Sequence, residues 1–537
     1  MQRFSVRPWP ISRNLLLVAA SLALTVLLPA QSRSEAAASP LDSTQLHPST
    51  TLKLDTRLVV LDVVITDKAG KPVDGLSAGD FQVLEDGKPQ LIRSVDPPAA
   101  NTLPPETLAT GASAAFDPAK PITFGHSPVA ILVFDQLNTH FADSSFARRS
   151  LHDYLAAQPA LLAQPTTLLT VYDNRFKLLQ SFTRDRDALL RAVAAAPAEY
   201  AWKLEVYGKT EFGPVERLDQ SLRALEEIAQ SYAPIAGHKN LIWVGGGFPT
   251  INPTTIDGDD ALEVKHALQH ITNLLLDTHI TLYAVDPTSS AAGMTEITDS
   301  SQMAFVQAAG DALTGGIDPF GASDDFDSLG PVTGGRVVRG KNDVARQISS
   351  AVDLGAHSYT ISYTPSSTSE AAAQYRKIQV VCLRPGLTAT SRTGYYPNEN
   401  AQQNTPATAA YDLTTAAESA LPLHGLVVAV DRDSTQGVYT VHAGAASLTW
   451  KPEQDGSATA SVYIMAVSLD AQGRMLAHTL HGMTATAKPG VKLNDPAKMA
   501  DFAFSVQPSP KAAALRFIVR DNASGRMGSA DLQLKMH

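Results

Sequence analysis

The sequence lacks cysteine, with one exception, and it lacks an excess of positive charge. Cys382 is the single cysteine among 537 residues, so an intramolecular disulfide and a cysteine-based zinc cage are both excluded. Lys and Arg number 43 against 53 Asp and Glu, which gives a net charge of −10. Non-specific binding to nucleic acid needs a positive field around the protein. We therefore expect no nucleic-acid partner.

Long apolar runs are also absent, except near the N-terminus. Residues 1–14 carry arginines and no acidic residue, and residues 15–28 are almost wholly apolar. The short segment Pro29-Ala30 then provides a small residue at the expected cleavage site. This order is typical of a secretory signal peptide over residues 1–30, and the apolar run is short for a membrane span. An uncleaved anchor is the alternative. The sequence predicts export to the periplasm, the cell surface or the exterior, with no membrane span after cleavage. We expect a flexible lead over 31–51.

Residues 128–356 alternate between strand-like and helix-like patterns. The continuous apolar run 129–134 is expected for a strand buried on both faces. Three later runs have a similar strand-like composition, at 166–172, 240–244 and 280–285. Helical spacing of apolar residues separates these runs. Such alternation predicts right-handed crossovers and a doubly wound sheet.

Strand patterns flank this α/β region on both sides. Residues 52–96 are too few to bury a core alone, and 357–397 offer partner strands. We predict that these two stretches are the halves of one β-sandwich, with the doubly wound α/β region inserted between them. Short alternating strands predict a further β-sandwich over 421–537. The composition predicts linkers in two stretches, 97–127 and 398–420.

Polar residues and glycines follow the predicted central strands. Asp135 to Thr139 come directly after the first strand, and Gly245 to Thr250 come after the strand that ends at Val244. Ligands of open α/β sheets bind outside the carboxyl ends of the strands. These two segments therefore form the candidate site.

The first of these segments resembles the start of the metal-ion-dependent adhesion site of von Willebrand factor A domains, in which an Asp is followed by hydroxyl residues. The resemblance rests on Asp135 and Thr139, and it implies Thr210 as a third ligand of Mg²⁺ or Mn²⁺, which prefer oxygen ligands. Leu137 stands where the motif has another hydroxyl, and glycine at 245–247 stands where it has a later Asp. The implied site is therefore degenerate. The alternative is that Asp135 caps the following segment or binds loop amides.

A wider resemblance concerns six segments that occur in order. They are Val60 to Asp67, Asp80 to Gly87, Phe134 to Thr139, Lys239 to Val244, Thr333 to Arg336 and Tyr359 to Tyr363. Together they resemble the VWFA-related family found largely in acidobacteria, over about residues 52–397. The resemblance implies a von Willebrand A-type domain in an exported protein. By the same analogy, the strand-end face would dock a protein partner through four candidate contact residues, Asn138, Gly246, Phe248 and Thr250.

Motifs for catalysis are incomplete. His266 and His270 have the spacing of zinc-protease ligands, but Ala267 replaces the general base. The phosphate-loop pattern that ends at Lys341 continues with Asn342 in place of the hydroxyl residue that holds Mg²⁺. The sequence thus predicts no catalytic residue, and favours an exported protein-binding or adhesion module over an enzyme. Two alternatives stay open: a secreted hydrolase with its active site in the 287–327 insertion or between domains, and a structural component of the cell envelope.

Overall fold

The computed structural model describes residues 58–98, 124–173, 175–206, 212–249, 258–287, 329–339, 343–365, 375–396, 406–419, 421–433, 435 and 437–534. The predicted signal peptide, the lead, and most of the 97–127 linker and the 287–327 insertion lie outside the described residues. The described residues all belong to one compact unit. Within the described ranges no helix has the length and apolar character that crossing a membrane requires.

The strands are rich in apolar and β-branched residues, which favour the extended backbone. In chain order they are β1 Val59–Thr66, β2 Phe81–Glu85, β3 Lys88–Asp96, β4 Val129–Asp135, β5 Leu161–Tyr172, β6 Arg175–Asp185, β7 Lys239–Val244, β8 Ile280–Val285, β9 Arg336–Val338, β10 Ser358–Thr364, β11 Arg376–Cys382, β12 Thr388–Ser391, β13 Gly394–Tyr395, β14 Val428–Arg432, β15 Val438–Gly444, β16 Lys451–Pro452, β17 Ala458–Leu469, β18 Met475–Ala487, β19 Met499–Ser505, β20 Ala514–Asp521 and β21 Met527–Gln533.

Seven described helices follow strands of the central sheet in the chain, and one further helix follows β13. They are α1 Phe141–Ala156, α2 Arg186–Ala195, α3 Trp202–Glu205, α4 Phe212–Tyr232, α5 Gly258–Asp277, α6 Leu329–Val332, α7 Val344–Ala356 and α8 Pro406–Glu418. The start of α2 illustrates how local sequence sets a boundary. The Asp185 carboxylate accepts hydrogen bonds from the backbone N–H groups of Asp187 and Ala188, which would otherwise lack a partner in the helix.

The central sheet has the strand order β6-β5-β4-β7-β8-β9. Its strands run parallel, except that β6 is antiparallel to β5. Numbered within the sheet, this is the doubly wound order 3-2-1-4-5-6. The predicted mixed α/β architecture is therefore confirmed.

Both faces of the central sheet are covered, as the unbroken burial of β4 requires. Val129, Ile131 and Val133 belong to the core formed with α4 and α5. Their neighbours Ala130 and Leu132 belong to a second core, formed with α1, α2 and α7. Successive side chains of a strand point to opposite faces, so β4 contributes to both cores. Its carboxyl end opens toward the candidate site.

Strands from the two flanks pair within one seven-stranded sheet, in the order β12-β1-β10-β3-β2-β11-β13. Leu61 of β1, for example, lies opposite Ile361 of β10, and both side chains lie in the core of this sheet. The segments 52–96 and 357–397 are thus joined by hydrogen bonds. The finer expectation, a sandwich of two stacked sheets, stays a prediction.

A buried charge cluster lies between the seven-stranded sheet and the central region. A carboxylate oxygen of Asp62, on β1, lies 3.2 Å from Nδ1 of His238 and 3.2 Å from Nδ1 of His279. Burial alone would raise the pKa of Asp62, but the two imidazoles hold it well below its usual range. The cluster therefore ties β1 to the starts of β7 and β8 as long as the carboxylate is ionised.

The C-terminal strands form two sheets, one with β14, β15 and β19 and one with β16, β17, β18, β20 and β21. Side chains from both sheets share one core. The ring of Phe517 on β20 lies 5.2 Å from that of Tyr439 on β15 and 5.9 Å from that of Phe504 on β19. These aromatic contacts join the two sheets within the core that they share. The β-sandwich expected over 421–537 stays a prediction.

Helix α8 lies within the stretch 398–420, for which the sequence predicted a linker. The buried side chains of Leu413, Ala416 and Ala417 pack against Met465 and Ile518 of the larger C-terminal sheet. Small and apolar residues at helical spacing give this helix a narrow apolar face. The described part of the stretch is therefore packed structure, and the linker prediction is wrong for residues 406–418.

Candidate functional site

Asp135 ends β4, and its carboxylate is surrounded by donors from the protein. Oδ1 accepts hydrogen bonds from the backbone N–H groups of Leu137 and Asn138, both at 2.9 Å. Oδ2 accepts from Nδ2 of Asn138 at 3.1 Å and from Nε1 of Trp243 at 2.8 Å. The side chain is fully buried. Four N–H donors thus take the place that water would take around an exposed carboxylate.

Thr139 links this loop to the loop after β7. Its hydroxyl donates to the carbonyl oxygen of Asp135 at 2.5 Å and accepts from the backbone N–H of Gly246 at 2.9 Å. A Cβ added to Gly245 would lie 2.4 Å from Cβ of Asp135, and one added to Gly246 would lie 2.1 Å from the carbonyl oxygen of Asn138. The loops approach so closely that both positions need glycine.

Helix α4 closes the site from the side. Asn138 also donates to the hydroxyl of Ser221 at 3.0 Å, and Nη1 of Arg217 lies 3.5 Å from the Asn138 side-chain oxygen. Burial lowers the pKa of Arg217, although the charge of Asp135 opposes this shift. Burial raises the pKa of Asp135, and the hydrogen bonds from Trp243 and Asn138 offset part of that rise. The result is a buried carboxylate stabilised by hydrogen bonds and by one nearby cation.

The residues present do not fit the Mg²⁺ or Mn²⁺ that the resemblance implied. Such ions need several oxygen ligands with free lone pairs, whereas both oxygens of Asp135 accept N–H donors and the Thr139 hydroxyl donates to the main chain. Leu137 brings no oxygen, and Thr210 lies outside the described residues. No group of three or more His, Cys, Asp or Glu side chains that could hold a metal ion occurs in the described part of the chain. The geometry instead matches the alternative interpretation, in which Asp135 binds loop amides.

The residues expected to contact a partner lie mostly inside the protein. Asn138 and Phe248 are each 5% exposed, and the ring of Phe248 lies 4.7 Å from that of Trp243. Gly246 is partly buried and contributes its N–H to Thr139, while Thr250 lies outside the described residues. The docking assignment is therefore wrong for Asn138 and Phe248, because their side chains shape the site from within.

Sequence reasoning missed a group of exposed aromatic residues at the same edge of the sheet. Phe141, Tyr200 and Trp202 are 48%, 42% and 60% exposed. The ring of Tyr200 lies 5.9 Å from that of Phe141 and 4.8 Å from that of Trp202. We call these three residues the aromatic surface. A signal was available, because Tyr200 and Trp202 stand two residues apart in a chain with only 7% aromatic residues.

The strand ends hold the segment that carries the aromatic surface. The backbone N–H of Glu199 donates to the Gln136 side chain at 3.0 Å, and that of Lys203 donates to the Asp173 carboxylate at 3.0 Å. Gln136 and Asp173 follow β4 and β5 directly. These bonds on either side of Tyr200 and Trp202 fix the segment to the sheet edge.

Charged groups of both signs border the aromatic surface. The Glu205 carboxylate accepts from the backbone N–H of Phe141 at 3.1 Å and lies 3.1 Å from Nδ1 of His140. Partial burial raises the pKa of Asp143, and the nearby charges of Asp286 and Glu205 add to that rise. Asp286 is itself paired, because Nε of Arg339 lies 3.6 Å from its carboxylate.

The fold and the site define a doubly wound α/β region with a mixed sheet, in which protein donors surround the strand-end carboxylate. No family model matches the sequence, and no curated protein matches it. Among solved structures, the chain is similar to the crystal structure of the SpRpn10 VWA domain, with 14% identity and a TM-score of 0.15, over 30% of this chain and 88% of that chain. A TM-score this low carries no argument about this chain.

Proposed function

We propose that this chain is an exported, non-catalytic protein-binding or adhesion module that docks a protein partner through the aromatic surface, without a metal ion. One observation carries the proposal: three exposed aromatic rings stand together at the strand-end face. Exposed aromatic residues are enriched at the centres of protein interfaces, where they contribute most of the binding energy. The basic, apolar and small-residue order of residues 1–30 supports export.

The border of the aromatic surface indicates the chemistry of the partner. Glu205 accepts a hydrogen bond from the backbone of Phe141 and lies beside His140, and Lys203 directly follows Trp202. A complementary partner would offer an apolar centre and a polar rim with charges of both signs. Such a charge pattern raises the rate of association more than the affinity, and salt screens it.

The fully occupied carboxylate of Asp135 supports a role without catalysis or metal. A general base needs a lone pair that is free to take a proton from a substrate. Each oxygen of Asp135 already accepts two hydrogen bonds. The group is thus suited to hold the strand-end loops in place beneath the aromatic surface.

Photochemical cross-linking tests the proposal with the full mature chain. Benzoylphenylalanine replaces Tyr200, and the protein is irradiated among the secreted and envelope proteins of its source. We expect one dominant cross-linked partner. The purified partner should then bind Trp202→Ala more weakly by about 2 kcal/mol or more. Leu91→Ala, at an exposed position on β3 that is remote in sequence, should bind it as the unaltered chain does. Equal binding by Trp202→Ala would refute this docking site.

A further inference from the structure

A cavity of about 460 Å³ lies where α4 and α5 meet α8 and the loop after β20. Its volume is in the range that holds small organic ligands. The lining includes the ionisable side chains of Glu226, His270, Asp277, Asp412, Arg520 and Arg526. Neither the Asp135 site nor the aromatic surface shares these residues.

One buried ion pair uses the inner cation of the cavity. Arg520 is 1% exposed and Asp412 is 8% exposed. Nε of Arg520 donates to Oδ2 of Asp412 at 2.7 Å, and Nη2 lies 2.7 Å from the same oxygen. Burial raises the pKa of Asp412 to about 6, and the charge of Glu226 adds to the rise. The Arg520 charge is thus bound to Asp412, while Glu226 contributes a second negative charge nearby.

The carboxylate of Glu226 accepts one hydrogen bond from the described residues. It is 4% exposed. Its Oε1 accepts from Nε2 of Gln230 at 3.1 Å, and Nε2 of His270 lies 3.9 Å from the same oxygen, beyond hydrogen-bond distance. Among the described residues, the structure gives its Oε2 no hydrogen bond. A carboxylate that lines a cavity can accept further hydrogen bonds and is favoured by a nearby positive charge.

The charges of the lining residues indicate the charge of a ligand that would fit the cavity. The lining holds three carboxylates, those of Glu226, Asp277 and Asp412, and two guanidinium groups, those of Arg520 and Arg526. Counted without its two imidazoles, the lining carries an excess of one negative charge. A cationic ligand would offset this excess, whereas an anion would add to it.

We propose that this cavity binds a cationic group, an ammonium or a guanidinium, in contact with Glu226. Such a group could belong to a free small amine or to a Lys or Arg side chain of a bound polypeptide, and both sources share this chemistry. Because α4 and α5 belong to the central region and β20 to the C-terminal strands, an occupant would also bridge these two parts. This inference does not rest on the aromatic surface.

Calorimetric titration of the full mature chain with agmatine, which carries an amine and a guanidinium, tests the proposal. We expect saturable binding that Glu226→Gln weakens at least about tenfold. The Gln side chain still offers an acceptor to Gln230, so the variant should keep its circular dichroism and melting temperature. Glu216→Gln, an exposed change on the same helix, should bind agmatine normally. No binding at about 10 mM agmatine, or equal affinity in Glu226→Gln, would overturn the proposal.

A pH series gives a second measurement. A bound cation favours the ionised form of Asp412, so affinity should rise as the pH is raised from about 5 to about 7.5. Affinity that falls over this range would overturn the proposal.

Peptides distinguish the two sources of the cation. A short neutral peptide with one lysine that binds more tightly than agmatine would assign the site to a polypeptide partner. Weaker binding than agmatine would assign it to a free amine. If the same peptide bound equally well with its lysine acetylated, the positive charge would be irrelevant and the proposal would be overturned. None of these experiments changes or probes the aromatic surface. A negative result for the cavity would therefore not count against the proposed docking function.

Discussion

Nε1 of Trp243 donates a hydrogen bond to Oδ2 of Asp135 at 2.8 Å, and both side chains are fully buried. The bond joins two neighbouring parallel strands at the strand-end edge of the sheet. It completes the set of four N–H donors around one carboxylate. A buried indole with its donor paired in this way acts as both core residue and charge partner.

Replacement of Trp243 by phenylalanine should destabilise the protein. The change removes one donor from a buried carboxylate, and an unsatisfied buried group costs about 1–3 kcal/mol. Urea denaturation gives the change in the free energy of unfolding. A double-mutant cycle with Asp135→Asn isolates the hydrogen bond from the loss of ring volume. If the two single changes proved additive in the double variant, the bond would contribute nothing.

Divalent metal should leave the stability unchanged. Because protein donors occupy the Asp135 carboxylate, Mg²⁺ or Mn²⁺ has no site there, and a ligand that does not bind the folded state cannot raise its melting temperature. The melting temperature in EDTA should equal that in excess Mg²⁺ for the unaltered chain. The same comparison, made separately for Asp135→Ala, should also show no difference. A rise in melting temperature with Mg²⁺ that Asp135→Ala abolished would contradict this account of the site.

Gly245 should tolerate no side chain. The added Cβ of Gly245→Ala would meet Cβ of Asp135 at 2.4 Å, and overpacking of this kind costs about 1–3 kcal/mol. Gly79 is the matched control, because a Cβ there meets nothing within 4 Å and its φ is not positive. Gly79→Ala should change the unfolding free energy by less than about 1 kcal/mol. Equal effects of the two substitutions would show that the strand-end loops can separate.

Asp62 should make stability depend on pH in the acid range. The pKa of Asp62 in the folded protein lies well below its usual range, so the stabilisation is complete above about pH 4 and declines as the pH falls below that value. At pH 7, Asp62→Asn should therefore be less stable than the unaltered chain. The gap should narrow in urea denaturation at about pH 3. Asp96→Asn, at an exposed position on β3, should show no such gap; a gap for Asp62→Asn that stayed constant with pH would contradict the assignment.

Much of the central region could be predicted because its strands are continuous apolar runs. Burial on both faces leaves a strong pattern in sequence, as in Val129 to Phe134, and the residue after such a run must lie at the sheet edge. Asp135 and Thr139 were found by this rule. Trp243 was not, because its N–H reaches Asp135 from another strand, and the direction of one indole in space leaves no sequence pattern.

The aromatic surface escaped prediction for a related reason. Tyr200 and Trp202 lie in a short segment without strand or helix periodicity, and the fold brings Phe141 beside them from the start of α1. Helix α8 was misjudged for a different reason. Its Ala- and Thr-rich composition is that of many linkers, and the helical spacing of Leu413, Ala416 and Ala417 is a signal only when a sheet is available to receive it.

Helix α8 should contribute to stability, contrary to the behaviour of a linker. Leu413 is 1% exposed and lies in the core against the larger C-terminal sheet, and removal of such a side chain costs about 2–5 kcal/mol. Leu413→Ala should therefore lower the free energy of unfolding by that amount in urea denaturation. Glu418→Ala, at an exposed position near the end of the same helix, should have little effect. If Leu413→Ala were as stable as the unaltered chain, α8 would be dispensable to the fold, and residues 406–418 would act as the linker that their composition suggests.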